Sequence, residues 1–118
     1  MPPVLWSPPP DIRDRTEVGR YLRWLERERG LTFETYEDLQ RWSVDDLPAF
    51  WASIWDFFEV RSSEPYTAVV ENIGMPGARW FPGTQLNFAQ NLLRYRDDHA
   101  ALVFRNDRGA TLFAGDRL

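Results

Sequence analysis

The sequence predicts an α-rich α+β fold, with three to four helices followed by a small C-terminal β-hairpin. Apolar residues recur at helical spacing in separate stretches before residue 60 and once more after residue 83. Beyond residue 99 the pattern changes to two short apolar runs, 100–104 and 111–113, around the turn signal Asn106-Asp107-Arg108-Gly109. Between these regions lies a connection holding Gly74, Pro76 and Gly77, residues that break both helix and strand. At 118 residues the chain is expected to form one domain, 16–118, behind a proline-rich arm, 1–15.

The arm carries Pro2-Pro3 and Pro8-Pro9-Pro10 with two apolar anchors, Leu5 and Trp6. Consecutive prolines favour an extended, polyproline-like course. Three roles fit it: a strap over a neighbouring surface, a ligand for a proline-recognition domain, or a tail whose Trp6 tucks onto its own domain. The third is the simplest.

Asp14 or Thr16 can cap a first helix that runs to Arg29, and Gly30 supplies the stop. Val18, Tyr21, Leu22 and Leu25 form its apolar stripe, with Trp24 on the flank. A second, short helix is expected over 35–42, with Thr35 as cap and Leu39 inward. Ser43 is then expected to restart the chain, since Ser43-x-x-Asp46 approximates a capping box. Pro48 falls in the first turn of the third helix, where its missing N–H is harmless. That helix runs to about Phe58. Leu47, Phe50, Trp51, Ile54, Trp55 and Phe58 keep helical spacing throughout, which marks it as the core helix. Ala52, Ser53 and Asp56 form its more polar face.

Residues 61–65 read as a loop, and 66–70 as a short strand or merely extended chain. The centre of the chain is Trp80-Phe81-Pro82-Gly83-Thr84-Gln85-Leu86-Asn87. Two large aromatics at a turn cost stability unless something covers them. Pro82-Gly83 is a strong turn signal, because Pro presets its own φ and Gly accepts φ > 0. A helix is expected to follow, capped by Thr84 or by Asn87, with Leu86, Ala89, Leu92 and Leu93 at helical spacing. The unit reads as an aromatic anchor, a tight turn and a helix pinned beside it. Residues 100–104 read as a buried strand, paired with 111–113.

Trp80-Phe81-Pro82-Gly83-x-x-Leu86-Asn87-x-Ala89-x-Asn91-Leu92-Leu93-Arg94, preceded by Met75-Pro76-Gly77-Ala78-Arg79, resembles the N-terminal region of acyl-CoA synthetases. The form carried by acetoacetyl-CoA synthetases is the nearest likeness, and acetyl- and propionyl-CoA synthetases share a looser one. Tyr36-Glu37-Asp38-Leu39-Gln40-Arg41-Trp42-Ser43-Val44 and Phe50-Trp51-x-x-Ile54-Trp55-Asp56-Phe57 match in order and spacing. The likeness covers nearly the whole chain, most weakly at 1–15 and after Gly109. It implies a parent reaction in which an acid, ATP and CoA give acyl-CoA, AMP and pyrophosphate. ATP, magnesium and CoA are implied for a full-length parent only; for this chain no cofactor is expected. On the resemblance the hairpin leads into an adenylation domain, absent here, and that domain is the expected partner. Residues 114–118 depart from the family pattern.

Chemistry on this chain itself is not expected. All 14 basic residues are Arg, so no Lys can form a Schiff base or clamp a phosphate. The glycines are scattered singly, and no phosphate-cradling loop emerges. The absence of Cys excludes disulfides and thiolate chemistry. The net charge of −4, with Arg interleaved among acids, argues against nucleic acid. No apolar run reaches the length of a membrane span and no secretory signal is present, so a cytoplasmic location is the default. His99, the single histidine, follows Asp97-Asp98 and reads as a solvated loop. No catalytic, cofactor-binding or metal residue is therefore assigned. Packing and interface roles are expected for Trp51, Trp55, Trp80, Phe81, Pro82, Gly83, Leu86 and Asn87, against the adenylation domain or in self-association. A free-standing binding module that uses the same aromatic face is the alternative.

Overall fold

The computed structural model describes residues 3–114, without the side chains of Ala101 and 110–114. Helices and small antiparallel strand pairs give a helix-rich α+β fold, as predicted. The chain divides into two compact units, Met1–Glu59 and Val60–Leu118.

The first unit is helical. A one-turn helix, α1 (Ile12–Arg15), precedes α2 (Glu17–Arg29). The Thr16 hydroxyl accepts from the Gly19 N–H at 3.2 Å and so caps α2. Gly30 ends the helix at φ 65, a left-handed conformation that costs a residue without a Cβ little. Thr35 and Asp38 close a reciprocal capping box on α3 (Tyr36–Asp45).

Four expectations fail in this unit. Ser43 does not restart the chain: α3 continues through it, and its hydroxyl donates to the Gln40 carbonyl at 2.7 Å. Asp46 caps α4 (Leu47–Phe57) instead, accepting from the Ala49 N–H at 3.1 Å. Trp6 does not tuck in, and residues 3–11 of the arm are exposed.

The third failure is the face that α4 buries. Its one fully buried residue is Ser53, assigned above to the polar face. Phe50, Ile54 and Phe57 join the core around Tyr21, Leu25 and Leu39, whereas Trp51 and Phe58 are exposed. The apolar stripe of α4 is wider than the two helices available to cover it. The core centres on the α2 side chain of Leu25, which is 0% exposed. Tyr21 turns its hydroxyl onto Ser53 Oγ at 2.5 Å, which pairs two polar atoms that burial would otherwise penalise. Its ring meets Phe57 edge-on at 5.1 Å. In α2, Val18 is exposed, although the spacing had placed it in the stripe.

Gly19 has a role the sequence did not show. A Cβ there would stand 1.7 Å from the Arg13 carbonyl oxygen, so only Gly lets α1 fold back against α2. Arg23 holds the same corner, donating to the Arg13 carbonyl at 2.8 Å and to Asp14 at 3.0 Å.

In the second unit, residues 61–65 are not a plain loop. Strand β1 (Ser62–Glu64) pairs with β4 (Gln85–Leu86), and β2 (Val70–Glu71) pairs with β3 (Arg79–Trp80), both antiparallel. The expected helix after the Pro-Gly turn shrinks to α5 (Phe88–Leu92), and Leu86 lies in β4. The hairpin forms as expected: β5 (Ala100–Asn106) pairs with β6 (Gly109–Ala114), and Asn106 stands opposite Gly109 across a two-residue turn. It is not buried as expected, since Leu102, Val103 and Phe104 are all exposed.

Candidate interface site

The β1–β4 and β2–β3 sheets of the second unit are parts of one interrupted ribbon, in which residues 62–71 run antiparallel to 79–86. From the open end, Glu71 faces Arg79 and Val70 faces Trp80. The Phe81 N–H donates to the Val69 carbonyl at 2.8 Å, and the Thr67 N–H to the Pro82 carbonyl at 2.8 Å. The Thr84 hydroxyl donates to the Glu64 carbonyl at 3.0 Å. Ser62 faces Leu86, and Arg61 meets Asn91.

The break in the ribbon is the Phe-Pro-Gly turn. The Thr84 N–H reaches the Phe81 carbonyl at 3.3 Å, with Pro82 and Gly83 at the two central positions and Gly83 at φ 88. Pro first and a positive-φ Gly second is the pattern of a type II turn. A Cβ on Gly83 would come within 3.1 Å of Thr67 Cγ2. Phe81 takes φ 47, unusual for a bulky residue, and its ring meets Tyr66 edge-on at 5.3 Å. The strained residue is thus held by a backbone bond on one side and a ring contact on the other.

Asn87 caps α5, accepting from the Gln90 N–H at 3.0 Å. Of the two caps offered by the sequence it is the one used, because Thr84 is spent across the ribbon. Asn91 has a role that its place in the motif does not show. Its carboxamide accepts from the Arg61 N–H and donates to the Arg61 carbonyl, each at 2.8 Å. It also donates to the Asn87 carbonyl at 3.1 Å. An Asn four residues past an N-cap Asn is the available signal, but its partner lay in a stretch read as loop.

Among the described residues 60–109 not one side chain is buried. Trp80 is 44% exposed, and Leu86, Phe88, Leu92 and Tyr95 are exposed too. Phe81 and Pro82 are half-buried, and Gly83 and Asn87 are exposed. In the first unit Trp51 is 38% exposed and Trp55 half-buried. The polar chemistry is sparse. His99 pairs with Asp97 at 3.2 Å in a solvent-facing loop, its side chain 92% exposed. No group of three or more potential metal ligands occurs among the described residues. No helix among them is long and apolar enough to cross a membrane. Among the described residues one ionisable group is clearly perturbed. Burial raises the Tyr21 phenol above the usual 10.0, against the smaller opposing pull of the Ser53 hydrogen bond and the Arg29 charge. The arrangement can present apolar surface on a hydrogen-bonded frame.

Residues 36–92 match the family described as Acetyl-coenzyme A synthetase N-terminus. An acetoacetyl-CoA synthetase of Danio rerio is 40% identical over 103 residues, covering 86% of this chain and 15% of that protein. An acetoacetyl-coenzyme A synthetase of Rhizobium meliloti (strain 1021) is 35% identical over 103 residues, 87% of this chain and 16% of its own length. The malonamoyl-CoA synthetase vrtB of Penicillium aethiopicum is 36% identical over 101 residues, 80% of this chain and 14% of its own length. The chain thus spans about 15% of the length of these curated relatives. No solved structure matches it. With the family match running from α3 through α5 and the relatives aligning over most of the chain, the protein belongs to the N-terminal region of the acyl-CoA synthetases, of the type found in acetoacetyl-CoA synthetases.

Proposed function

We propose that this chain is the non-catalytic packing segment of an acetoacetyl-CoA synthetase-like acid–CoA ligase of the cytoplasm. The parent would join an acid to CoA through an acyl-adenylate, and this segment would brace its adenylation domain without turnover of its own. One observation carries the reading: residues 60–109 bury no described side chain, yet they present Trp80, Leu86, Phe88 and Leu92 on a hydrogen-bonded ribbon. Exposed apolar surface of that kind on an ordered frame marks an interface. The hairpin adds to it. A lone two-stranded sheet is marginal in water, and Leu102, Val103 and Phe104, consecutive in a strand, expose apolar groups on both faces. Trp51, Trp55, Trp80, Phe81 and Leu86 supply the contact in this reading, while Pro82, Gly83 and Asn87 shape the turn and cap that present it.

The test is reconstitution. The Rhizobium meliloti relative would be truncated to remove the segment this chain matches, and the chain added back. Binding that Trp80→Ala and Leu86→Ala each weaken at least tenfold, with no acetoacetate-dependent ATP–pyrophosphate exchange by the chain alone, is expected. Exchange by the isolated chain above a buffer blank would overturn the non-catalytic assignment. Absence of any binding to the truncated synthetase would overturn the bracing role.

A further inference from the structure

Burial is divided unequally between the two units. Every buried residue among those described, Gly19, Tyr21, Leu25, Leu39 and Ser53, lies in the first. The apolar core around Tyr21, Leu25 and Leu39 draws its partly buried partners from Leu22 to Phe57, so each of its members lies within that unit. Ring contacts join α2, α3 and α4. Tyr21 and Trp24 of α2 meet Phe57 of α4 at 5.1 and 5.6 Å, and Trp42 of α3 meets Phe50 of α4 at 5.7 Å. Arg29, at the end of α2, pairs with Asp56 of α4. A segment of about 60 residues with its own core has what an independent fold requires.

The second unit is held in another way. Its ribbon rests on short backbone pairings and on the bonds of Asn91 to Arg61, Thr67 to Pro82 and Thr84 to Glu64, each exposed to solvent. The hairpin is a separate two-stranded sheet, which is marginal in water by itself. Phe81 holds φ 47, a conformation in which only its surroundings keep a bulky residue. Ordering a residue costs conformational entropy wherever it lies in the chain, and burial of apolar surface is the main term that offsets it. Few buried apolar groups and many solvent-facing hydrogen bonds mark a region that opens locally.

We propose that the second unit is a conditional fold, in which residues 60–109 open and close while the first unit stays folded. The surface carrying Trp80, Leu86 and Phe88 is then assembled only in the closed form. Whatever covers that surface must select the closed form, so its apparent affinity is reduced by the closed fraction, and its binding holds the ribbon shut. In the bracing role proposed above the adenylation domain would do this. The opening of the unbound chain does not rest on that role.

Hydrogen exchange of the whole chain without any partner, followed amide by amide, tests this. The ribbon amides of Thr67 and Phe81, which donate to the Pro82 and Val69 carbonyls, are the reporters of the second unit. The amides of Leu25 in α2 and Ile54 in α4 report on the first. Protection at Thr67 and Phe81 is expected to be at least about 100-fold lower than at Leu25 and Ile54. Two variants separate the units. Ser53→Ala removes the buried partner of Tyr21 and is expected to speed exchange at Leu25 and Ile54 only. Thr84→Val removes a bond across the ribbon and is expected to speed exchange at Thr67 and Phe81 only. Equal protection of the two sets overturns the proposal, as does either variant speeding both sets alike. Since no synthetase is present, this failure is distinct from failure of the bracing role, which binding to the truncated relative decides.

Discussion

The side-chain amide of Asn91 completes both backbone hydrogen bonds of Arg61, at 2.8 Å each, and so takes the place of a strand residue at the end of the ribbon. A carboxamide carries one acceptor and two donors, which is what a peptide group offers plus one. The spare donor reaches the Asn87 carbonyl and ties the ribbon to the helix that Asn87 caps.

Asn91→Ala is therefore expected to free the start of β1 and loosen α5 together. The loss is put at about 1–2 kcal/mol for partly exposed bonds of this kind. Hydrogen exchange should show faster exchange at the Arg61 and Leu92 amides, with α2 to α4 unchanged. Aspartate at this position keeps the acceptor but not the donor, so it should protect the Arg61 N–H only.

Ser53→Ala leaves the Tyr21 hydroxyl without its partner in the core, at a cost of about 1–3 kcal/mol. Urea unfolding measures it. Adding Tyr21→Phe should recover part of the loss, because the orphaned group is then gone. An additive double mutant would show that the two hydroxyls are not coupled.

The same tyrosine sets an alkaline limit. Its folded pKa lies above the unfolded 10.0, so the folded state holds the proton more tightly. The stabilisation is complete below pH 10.0 and is lost as pH rises through the folded value, since the unfolded chain ionises first. Unfolding midpoints should fall above that pH in the wild type and fall less steeply in Tyr21→Phe. Equal slopes would remove Tyr21 as the cause.

Gly19→Ala is expected to be among the most damaging single-methyl changes in the first unit. The added carbon would sit 1.7 Å from the Arg13 carbonyl oxygen, well inside contact distance, so α1 must move away from α2. Overpacking of this sort costs about 1–3 kcal/mol. Thermal melts should show the drop, and the Arg13 donation to the Phe33 carbonyl should be lost with it.

Gly83→Ala should distort the turn rather than unfold the unit. A left-handed φ costs an L-residue about 1–2 kcal/mol, and here the new methyl also presses on Thr67. Binding to a truncated synthetase should weaken, with far-UV circular dichroism nearly unchanged. Full binding by this variant would show that the turn geometry does not shape the contact surface.

Local signals were the ones the sequence expressed well. Thr16, Gly30, Thr35 and Asn87 act at the helix ends where their side chains or φ freedom suggested, and the two-residue turn at 107–108 closes the hairpin. Each of these is decided within a few residues of itself. Ser43 shows the limit. A hydroxyl can bond back to its own helix as readily as it can cap a new one, and Asp46 was the stronger competitor for the α4 N-terminus.

Periodicity also identified α4 but not the face it buries. Spacing states which residues share a side of a helix; it does not state how many neighbours exist to cover that side. With α2 and α3 as the neighbours, Phe50, Ser53, Ile54 and Phe57 turn inward and Trp51 stays out. The ribbon was hidden for a related reason. Its pairs join residues 8 to 30 apart in sequence, some of them side chain to backbone, and no local pattern marks such pairs. By itself the sequence determined the family, the helix-rich class, most of the caps and turns, and the want of lysine and cysteine chemistry, because each is written in residue type and short spacing. Only the tertiary structure decided which aromatics are left at the surface, that Gly19 must be glycine, and that Asn91 stands in for a strand, because these depend on what distant segments bring alongside.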